Sequence, residues 1–118
     1  MKDQGTYSLP IRGAGIPIFI IVVHDSLRSV VRNLIEKSAH LTLCSEASSI
    51  EEALEKIGNS LIKPEVVLVD IFSPDKDITL VPCLKERYPG IRVLAISGHV
   101  SPEVALRALA AGAEGYLL

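Results

Sequence analysis

The sequence predicts an α/β domain built on a doubly wound, five-stranded parallel sheet. Three observations predict this fold class. Short runs rich in isoleucine, valine and leucine recur along the chain, which is typical of strands that are buried on both faces. Amphipathic segments with apolar residues at helical spacing lie between those runs. Because strand and helix alternate, we expect right-handed βαβ units and a sheet covered on both faces.

The first half of the predicted domain contains two strands and two helices. The β-branched run at 18–23 predicts a central strand, and the apolar positions of 26–38 recur at helical spacing. Residues 41–45 alternate in polarity, so they predict a second strand nearer the edge of the sheet. Ser48 and Ser49 precede two glutamates, and either serine can cap the next helix because a glutamate lies three residues on.

The second half contains three strands and two helices. A short helix at 79–88 accommodates Pro82 only near its first turn, where the amide group has no helical partner. The sequence 101–103, Ser-Pro-Glu, is a strong helix start, and Gly112 is typical of a position just past a helix end. In order, the predicted elements are the strand 66–69, the helix 79–88, the strand 91–96, the helix that starts after Ser101 and the strand 116–118.

Composition and charge exclude several function classes. The chain has 118 residues, of which 48% are hydrophobic, and its net charge is −2. We expect no direct binding to nucleic acid or to a membrane surface, because both need a clustered basic surface. Cys44 and Cys83 lack the spacing of zinc or redox motifs, and free thiols are typical of the cytoplasm. We therefore expect a cytoplasmic domain at 17–118 that follows a flexible N-terminal tail at 1–16.

The carboxyl ends of the predicted strands define where chemistry is expected, since ligands gather at this edge of α/β sheets. Asp70 directly follows the third strand, and the other ends carry 24–25 (His-Asp) and 97–99 (Ser-Gly-His). The first strand is not followed by the glycine-rich loop of nucleotide and flavin sites. Phe72 stands where a hydrolase with a nucleophilic aspartate would need a second acid. We therefore expect a domain that is not an enzyme.

Three segments resemble the receiver domains of bacterial two-component response regulators, and the resemblance extends over 17–118. Residues 64–74 contain an apolar strand, an aspartate and a proline four positions later. Residues 93–98 end in a serine followed by a small residue, and 108–118 are similar to the family's entry to its last strand. The segments occur in the family's order and spacing. The resemblance implies a flavodoxin-like fold with the strand order 2-1-3-4-5.

The resemblance also implies phosphorelay signal transduction and the residues that perform it. Asp70 would be the phospho-acceptor, and Ser97 and Tyr116 would be the switch residues. The family binds Mg²⁺ through an acidic pair after the first strand, the acceptor aspartate and a backbone carbonyl. A lysine at the end of its fifth strand contacts the phosphoryl oxygens. The implied partners are a sensor histidine kinase or another signalling protein, and a downstream effector domain outside this chain.

The sequence departs from the family pattern at the metal site. Aligned without gaps through the first helix, the acidic pair falls on Val22 and Val23, which cannot bind Mg²⁺. A shift of two residues would place His24 and Asp25 there, so Asp25 is a second candidate metal ligand beside Asp70, although a helix N-cap is its simpler role. We expect weak Mg²⁺ binding at best. The alternative function is a degenerate receiver that acts as a phosphorylation-independent interaction module.

The sequence also departs from the family pattern after Asp70 and at the end of the chain. Ile78 replaces the family's glycine after Asp77, and Asp75 and Asp77 are expected in a solvated loop with Lys76 as a surface charge. The chain stops at Leu118, before the family's lysine and its last helix. Because that helix covers part of one sheet face, we expect exposed apolar surface there. As a consequence we expect a homodimer, with an exchange of elements between copies or an N-terminal tail folded over the surface as the alternatives.

Overall fold

The computed structural model describes residues 15–97 and 102–117. Its strands are β1 (Ile16–Ile21), β2 (Leu41–Ala47), β3 (Val66–Asp70), β4 (Arg92–Ile96) and β5 (Gly115–Leu117). All four strand pairings are parallel, and the strands lie in the order β2-β1-β3-β4-β5. The predicted strand order is therefore confirmed, and β2 lies at an edge as its alternating sequence indicates.

The helices are α1 (Asp25–Glu36), α2 (Ile50–Asn59), the single turn α3 (Pro74–Asp77), α4 (Leu80–Arg87) and α5 (Pro102–Ala110). The predicted helix 79–88 corresponds to α4, in which Pro82 is the third residue, so its missing amide breaks no helical hydrogen bond. The turn α3 is not among the predicted elements. It is stabilised by the Asp77 carboxylate, which accepts hydrogen bonds from two backbone amides that precede the turn.

Two of the predicted helix signals act as expected. The Ser49 hydroxyl accepts a hydrogen bond from the Glu52 amide at 3.1 Å, and the Glu52 carboxylate accepts one from the Ser48 amide at 2.8 Å. Both serines therefore contribute to the start of α2. Gly112, which follows α5, has φ +115°, a left-handed conformation that favours glycine.

The start of α1 differs from the sequence-based expectation. The N-cap residue is His24, whose side chain makes no capping hydrogen bond, and Asp25 is the first residue of the helix. The predicted N-cap role of Asp25 is therefore wrong by one position. An acid in the first turn still interacts favourably with the positive end of the helix dipole.

The two faces of the sheet carry different clusters of buried side chains. The three-helix face is covered by α2, α4 and α5, and the α1 face is covered, among the described helices, by α1. Successive strand residues point to opposite faces, so Phe19 belongs to the first cluster and Ile20 to the second. The buried members on the α1 face are Ile18, Ile20 and Ile35. Those on the three-helix face include Phe19, Ala53, Ile57, Val67, Leu80, Val81, Leu84, Val93 and Ala108.

Some predictions fall at or beyond the limits of the described ranges. β1 begins at Ile16, the last residue of the segment predicted as a tail, and residues 1–14 lie outside the described part of the chain. The predicted capping residue Ser101 and the terminal Leu118 also lie outside it. The helices within the described ranges are all too short or too polar to cross a bilayer.

Candidate functional site

The predicted acceptor Asp70 lies at the carboxyl edge of the sheet. It is the last residue of β3, and only 6% of it is exposed. Asp70 aligns with Ile96 of β4, and the following amide, that of Ile71, donates to the Ile96 carbonyl oxygen at 2.8 Å. β3 also pairs with β1 on its other side. Asp70 is thus held at the end of a strand that has neighbours on both sides.

A cavity of about 220 Å³ lies beside Asp70. It has room for a phosphoryl group with a few water molecules, since one water occupies roughly 30 Å³ in the liquid. The loop between β2 and α2 contributes two serines to its lining, and the turn α3 contributes one acidic and one basic side chain. The polar lining residues are Ser48, Ser49, Asp70, Ser73, Lys76 and Asp77, and the others are Ile21, Val23, Ile50, Val69 and Phe72.

Asp77 organises the loop that follows the acceptor. Its side chain is buried, with 8% of the residue exposed, and one carboxylate oxygen accepts hydrogen bonds from the amides of Phe72 at 2.9 Å and Ser73 at 2.7 Å. The expectation of a solvated loop residue is therefore wrong for Asp77. The reason is that the loop amides have no strand or helix partner, and a nearby carboxylate satisfies them.

The first strand ends in two valines beside this cavity. Val22 is fully buried, whereas Val23 is half exposed and lines the cavity. Arg28 of α1 donates to the Val22 carbonyl oxygen at 2.9 Å and also forms an ion pair with Glu46 of β2 at 3.1 Å. The loop after β1 is thereby fixed by a guanidinium group and by apolar side chains, and its side chains offer no oxygen ligand to the cavity.

Asp25, the second candidate metal ligand, points elsewhere. Its side chain is 89% exposed and pairs with Arg28 at 2.5 Å, and Asp25 is not among the residues that line the Asp70 cavity. The hydrogen bond to Asp25 is the largest cause of the raised pKa of Arg28, so this guanidinium stays charged. The structure therefore does not bring Asp25 and Asp70 together.

Receiver-type magnesium coordination requires several oxygen ligands around one point, because Mg²⁺ demands a near-octahedral oxygen shell. Within residues 15–97 and 102–117, His, Cys, Asp and Glu form no group of three that could hold a metal ion. The side chains of Val22 and Val23, to which the ungapped alignment assigns the acidic pair, carry no oxygen, and one carboxylate oxygen of Asp77 is already bonded to two amides. The side chains present do not fit a magnesium site of that kind.

The predicted switch residue Ser97 lies next to the acceptor strand. It follows β4 directly, and 5% of it is exposed. Its amide donates to the Leu117 carbonyl oxygen of β5 at 3.1 Å, and its hydroxyl is 3.5 Å from the Ile71 carbonyl oxygen, the outer limit of a hydrogen bond. Ser97 thus connects the ends of β3, β4 and β5.

The second predicted switch residue, Tyr116, lies in the middle of β5 and is partly buried. Its ring packs against the cluster on the three-helix face. Its hydroxyl is buried and has no hydrogen-bond partner among the residues that the structure describes. A buried polar atom without a partner costs about 1–3 kcal/mol.

Two features at the carboxyl edge of the sheet were not predicted from the sequence: the contact between His24 and Phe72, and the position of Lys76. The rings of His24 and Phe72 meet edge to face, with their centroids 4.8 Å apart, and they join the loops that follow β1 and β3. Lys76 is exposed, as a surface charge would be, but it also lines the Asp70 cavity. None of these three residues carries a local sequence signal for its placement, because loop geometry decides which side chains meet.

The start of α2, on the other side of the cavity, contains a carboxylate with a lowered pKa. Glu52 has its pKa lowered to about 2, mainly because its carboxylate accepts a hydrogen bond from the Ser48 amide and pairs with Lys56. Ser48 and Ser49 both line the cavity, and both hydroxyls take part in capping α2. This side of the cavity is therefore formed by the start of α2, which is held by capping hydrogen bonds.

Comparison with known proteins agrees with this geometry. The model of the response regulator receiver domain family matches residues 18–118. The signal receiver domain of the response regulator NarL from Mycobacterium tuberculosis superposes with a TM-score of 0.77 and 30% sequence identity, covering 88% of this chain and 83% of that one.

Two curated relatives are similar in sequence. The DNA-binding transcriptional activator DevR/DosR of Mycobacterium tuberculosis is 30% identical over 104 residues, which cover 87% of this chain and 47% of the relative. The response regulator protein VraR of Staphylococcus aureus is 25% identical, and the match covers 87% of this chain and 49% of that protein. The chain thus spans about half the length of these relatives. Taken with the fold and the strand-end aspartate, these matches show that the chain belongs to the response regulator receiver domain family.

Proposed function

We propose that this receiver domain works in a two-component phosphorelay with Asp70 as the phospho-acceptor. The observation that carries the proposal is the position of Asp70, which is buried at the end of β3 and lines a cavity of about 220 Å³. A carboxylate in this position can act as a nucleophile, because the cavity gives a phosphoryl donor access to it.

The proposed reaction is a phosphoryl transfer. A carboxylate oxygen of Asp70 attacks the phosphorus atom of a phosphorylated histidine on the partner kinase. A new P–O bond forms, the P–N bond breaks, and its electron pair stays with the leaving imidazole. The product is an acyl phosphate on Asp70 with nearly two negative charges. The comparisons offer no support for the alternative of a phosphorylation-independent module.

We propose that Ser97 and Tyr116 transmit the phosphorylation state. Ser97 lies at the end of the strand beside Asp70, and its amide is bonded to β5, the strand that carries Tyr116. Tyr116 has a buried hydroxyl without a partner in the described part of the chain, so an outward ring position would relieve a cost. A hydrogen bond from Ser97 to the phosphoryl oxygens would shift this balance at the surface of β4 and β5.

The proposed partners follow from the family and from the relatives. Response regulators receive the phosphoryl group from a sensor histidine kinase, and one relative is named as a DNA-binding transcriptional activator. We propose that this receiver controls an effector domain of that kind, and that the receiver itself does not contact DNA because its net charge is −2. We also propose a homodimer, since α1 presents Val30 and Leu34 to solvent.

The experiment that tests the acceptor uses acetyl phosphate and a phosphorylated histidine kinase as donors. Asp70→Asn is compared with Glu36→Gln, a control that removes an exposed carboxylate at the end of α1, outside the cavity. We expect intact-mass spectrometry to find one added phosphoryl group on the wild type and on Glu36→Gln, with none on Asp70→Asn. Hydroxylamine should remove it, as expected for an acyl phosphate. Equal labelling of Asp70→Asn would show that the acceptor is another residue.

A further inference from the structure

Lys76 is the only cationic side chain among the described residues that line the Asp70 cavity. We infer that Lys76 supplies the positive charge that stabilises the phosphoryl group at Asp70, so that phosphorylation proceeds without a divalent cation. This inference rests on the proposed function of Asp70 as the acceptor. It assigns to a loop side chain the charge neutralisation that receiver domains generally obtain from Mg²⁺.

The first argument concerns charge. An incoming phosphoryl group brings close to two negative charges to a cavity that already contains the carboxylates of Asp70 and Asp77. In the ungapped alignment, Val22 and Val23 take the positions of two further acids. The cation that offsets the added charge therefore has to come from the protein, and Lys76 is the cationic group in the described lining. A lysine ammonium group provides a compact charge and three hydrogen-bond donors for phosphoryl oxygens.

The second argument concerns the turn that positions Lys76. The Lys76 amide donates to the Ser73 carbonyl oxygen at 3.0 Å, and the next residue, Asp77, is fixed by two loop amides. The preceding residue, Asp75, pairs with Arg107 of α5 at 2.7 Å. The turn α3 is therefore held on both sides of Lys76, with Asp77 directed inward and Asp75 directed outward.

The third argument concerns the partners of the lysine. Within the described ranges, the ammonium group of Lys76 takes part in none of the ion pairs and side-chain hydrogen bonds, although five other basic residues form ion pairs with carboxylates. The nearest acid along the turn, Asp75, is already paired with Arg107. Among the described residues, no carboxylate forms an ion pair with Lys76, so its charge is available to an anion in the cavity.

The reaction can be written for acetyl phosphate, a donor that needs no protein partner. The Asp70 carboxylate attacks phosphorus, the bond between phosphorus and the acetate oxygen breaks, and acetate leaves with the electron pair. No proton is transferred, and the total charge is the same before and after the step. Lys76 would stabilise the three negatively charged phosphoryl oxygens during transfer and in the product.

The experiment measures the rate of Asp70 phosphorylation by acetyl phosphate, once with EDTA and once with Mg²⁺. The wild type is compared with Lys76→Gln, with the conservative variant Lys76→Arg, and with Lys37→Gln, a control that removes an exposed lysine at the distant end of α1. Far-ultraviolet circular dichroism verifies that each variant is folded. Asp70→Asn defines the background labelling.

We expect the wild-type rates in EDTA and in Mg²⁺ to agree within about twofold. Lys76→Gln should reduce both rates by about tenfold or more, because the loss of one charge interaction in the transition state typically changes a rate by about that factor. Lys37→Gln should match the wild type, and Lys76→Arg should retain part of the rate. Wild-type labelling that requires Mg²⁺ and is unchanged in Lys76→Gln would overturn the inference while Asp70 remains the acceptor. If Asp70→Asn is labelled as fast as the wild type, the proposed function itself fails.

Discussion

The two faces of the sheet differ in how completely the described helices cover them. On the three-helix face, α2, α4 and α5 enclose a cluster with side chains from all five strands. On the α1 face, the buried cluster is small and centred on β1. The strand residues that lie on the α1 face beyond this cluster are only partly buried or are exposed; they include Leu94, Ile96 and Leu117.

The candidate site and the exposed apolar surface are therefore associated with different faces of the sheet. The Asp70 cavity is lined by the start of α2 and by the loop that leads into α4, and both pack on the three-helix face. The α1 face has less support and presents large apolar side chains to solvent, among them Leu34 with 65% of its surface exposed. The more fully packed face therefore supports Asp70, the proposed acceptor, whereas the exposed apolar side chains of the other face are suited to bind another surface.

The largest expected effect comes from removing equivalent side chains on the two faces. Leu84 of α4 is fully buried, and Leu84→Ala should lower the free energy of unfolding by about 3–4 kcal/mol because the enclosed cavity cannot collapse. Leu68 of β3 is partly buried on the α1 face, so Leu68→Ala should cost about 2 kcal/mol or less. Urea denaturation of both variants measures the difference. Equal losses would mean that the two faces are equally well packed.

The next effect concerns the proposed homodimer. Leu34→Glu places a charge on the exposed surface of α1 and should raise the dissociation constant of the dimer by about tenfold or more, equivalent to ~1.4 kcal/mol. Leu106→Glu is the matched control, since Leu106 is 68% exposed on α5. Sedimentation equilibrium measures the dissociation constant of the dimer for the wild type and for both variants. A wild-type chain that stays monomeric at all concentrations, or a dimer weakened only by Leu106→Glu, would contradict an interface on the α1 face.

A smaller effect is expected at Tyr116, which packs on the three-helix face. Tyr116→Phe removes a buried hydroxyl that has no partner in the described part of the chain, so it should raise stability by up to about 1 kcal/mol. Tyr88→Phe serves as the control because the Tyr88 hydroxyl is not a buried, unpartnered group. Thermal unfolding measures both variants. A loss of stability in Tyr116→Phe would show that the hydroxyl is bonded in solution.

The smallest effect is the pH dependence that Glu52 contributes at the start of α2. Its pKa is lowered from 4.5 to about 2 in the folded protein, chiefly by the hydrogen bond from the Ser48 amide. The associated stability is fully present above the unfolded pKa and is lost as the pH falls from 4.5 towards 2. Since the Glu52 side chain is 38% exposed, water screens the interaction and the effect is small.

Glu52→Gln should remove this part of the acid dependence, whereas Glu51→Gln, at the neighbouring position, should leave it unchanged. The free energy of unfolding, measured between pH 2 and 6, would show this dependence, because Glu52 becomes protonated in that range. A carboxyl titration by nuclear magnetic resonance would measure the pKa of Glu52 directly. An ordinary pKa for Glu52 in the titration would mean that the hydrogen bond from Ser48 is absent in solution.

Local patterns in the sequence were sufficient for the architecture. The apolar runs predict all five strands, and the place of Asp70 at the end of β3 follows directly from the run that precedes it. The serines before α2 and the glycine after α5 are signals with a local cause, because they satisfy or end the helical backbone. The strand order came from the resemblance to a family, and the structure agrees with it.

The sequence by itself therefore determined the elements, their order and the place of Asp70 at a strand end, because periodicity and capping act over a few neighbouring residues. The tertiary structure alone decided the orientation of the loop side chains: Asp77 turned inward to bond two amides, Asp25 turned away towards Arg28, and Lys76 came to the rim of the Asp70 cavity. It also decided which face of the sheet is closed. Such orientations depend on contacts between residues far apart in the chain, and no short sequence pattern records those contacts.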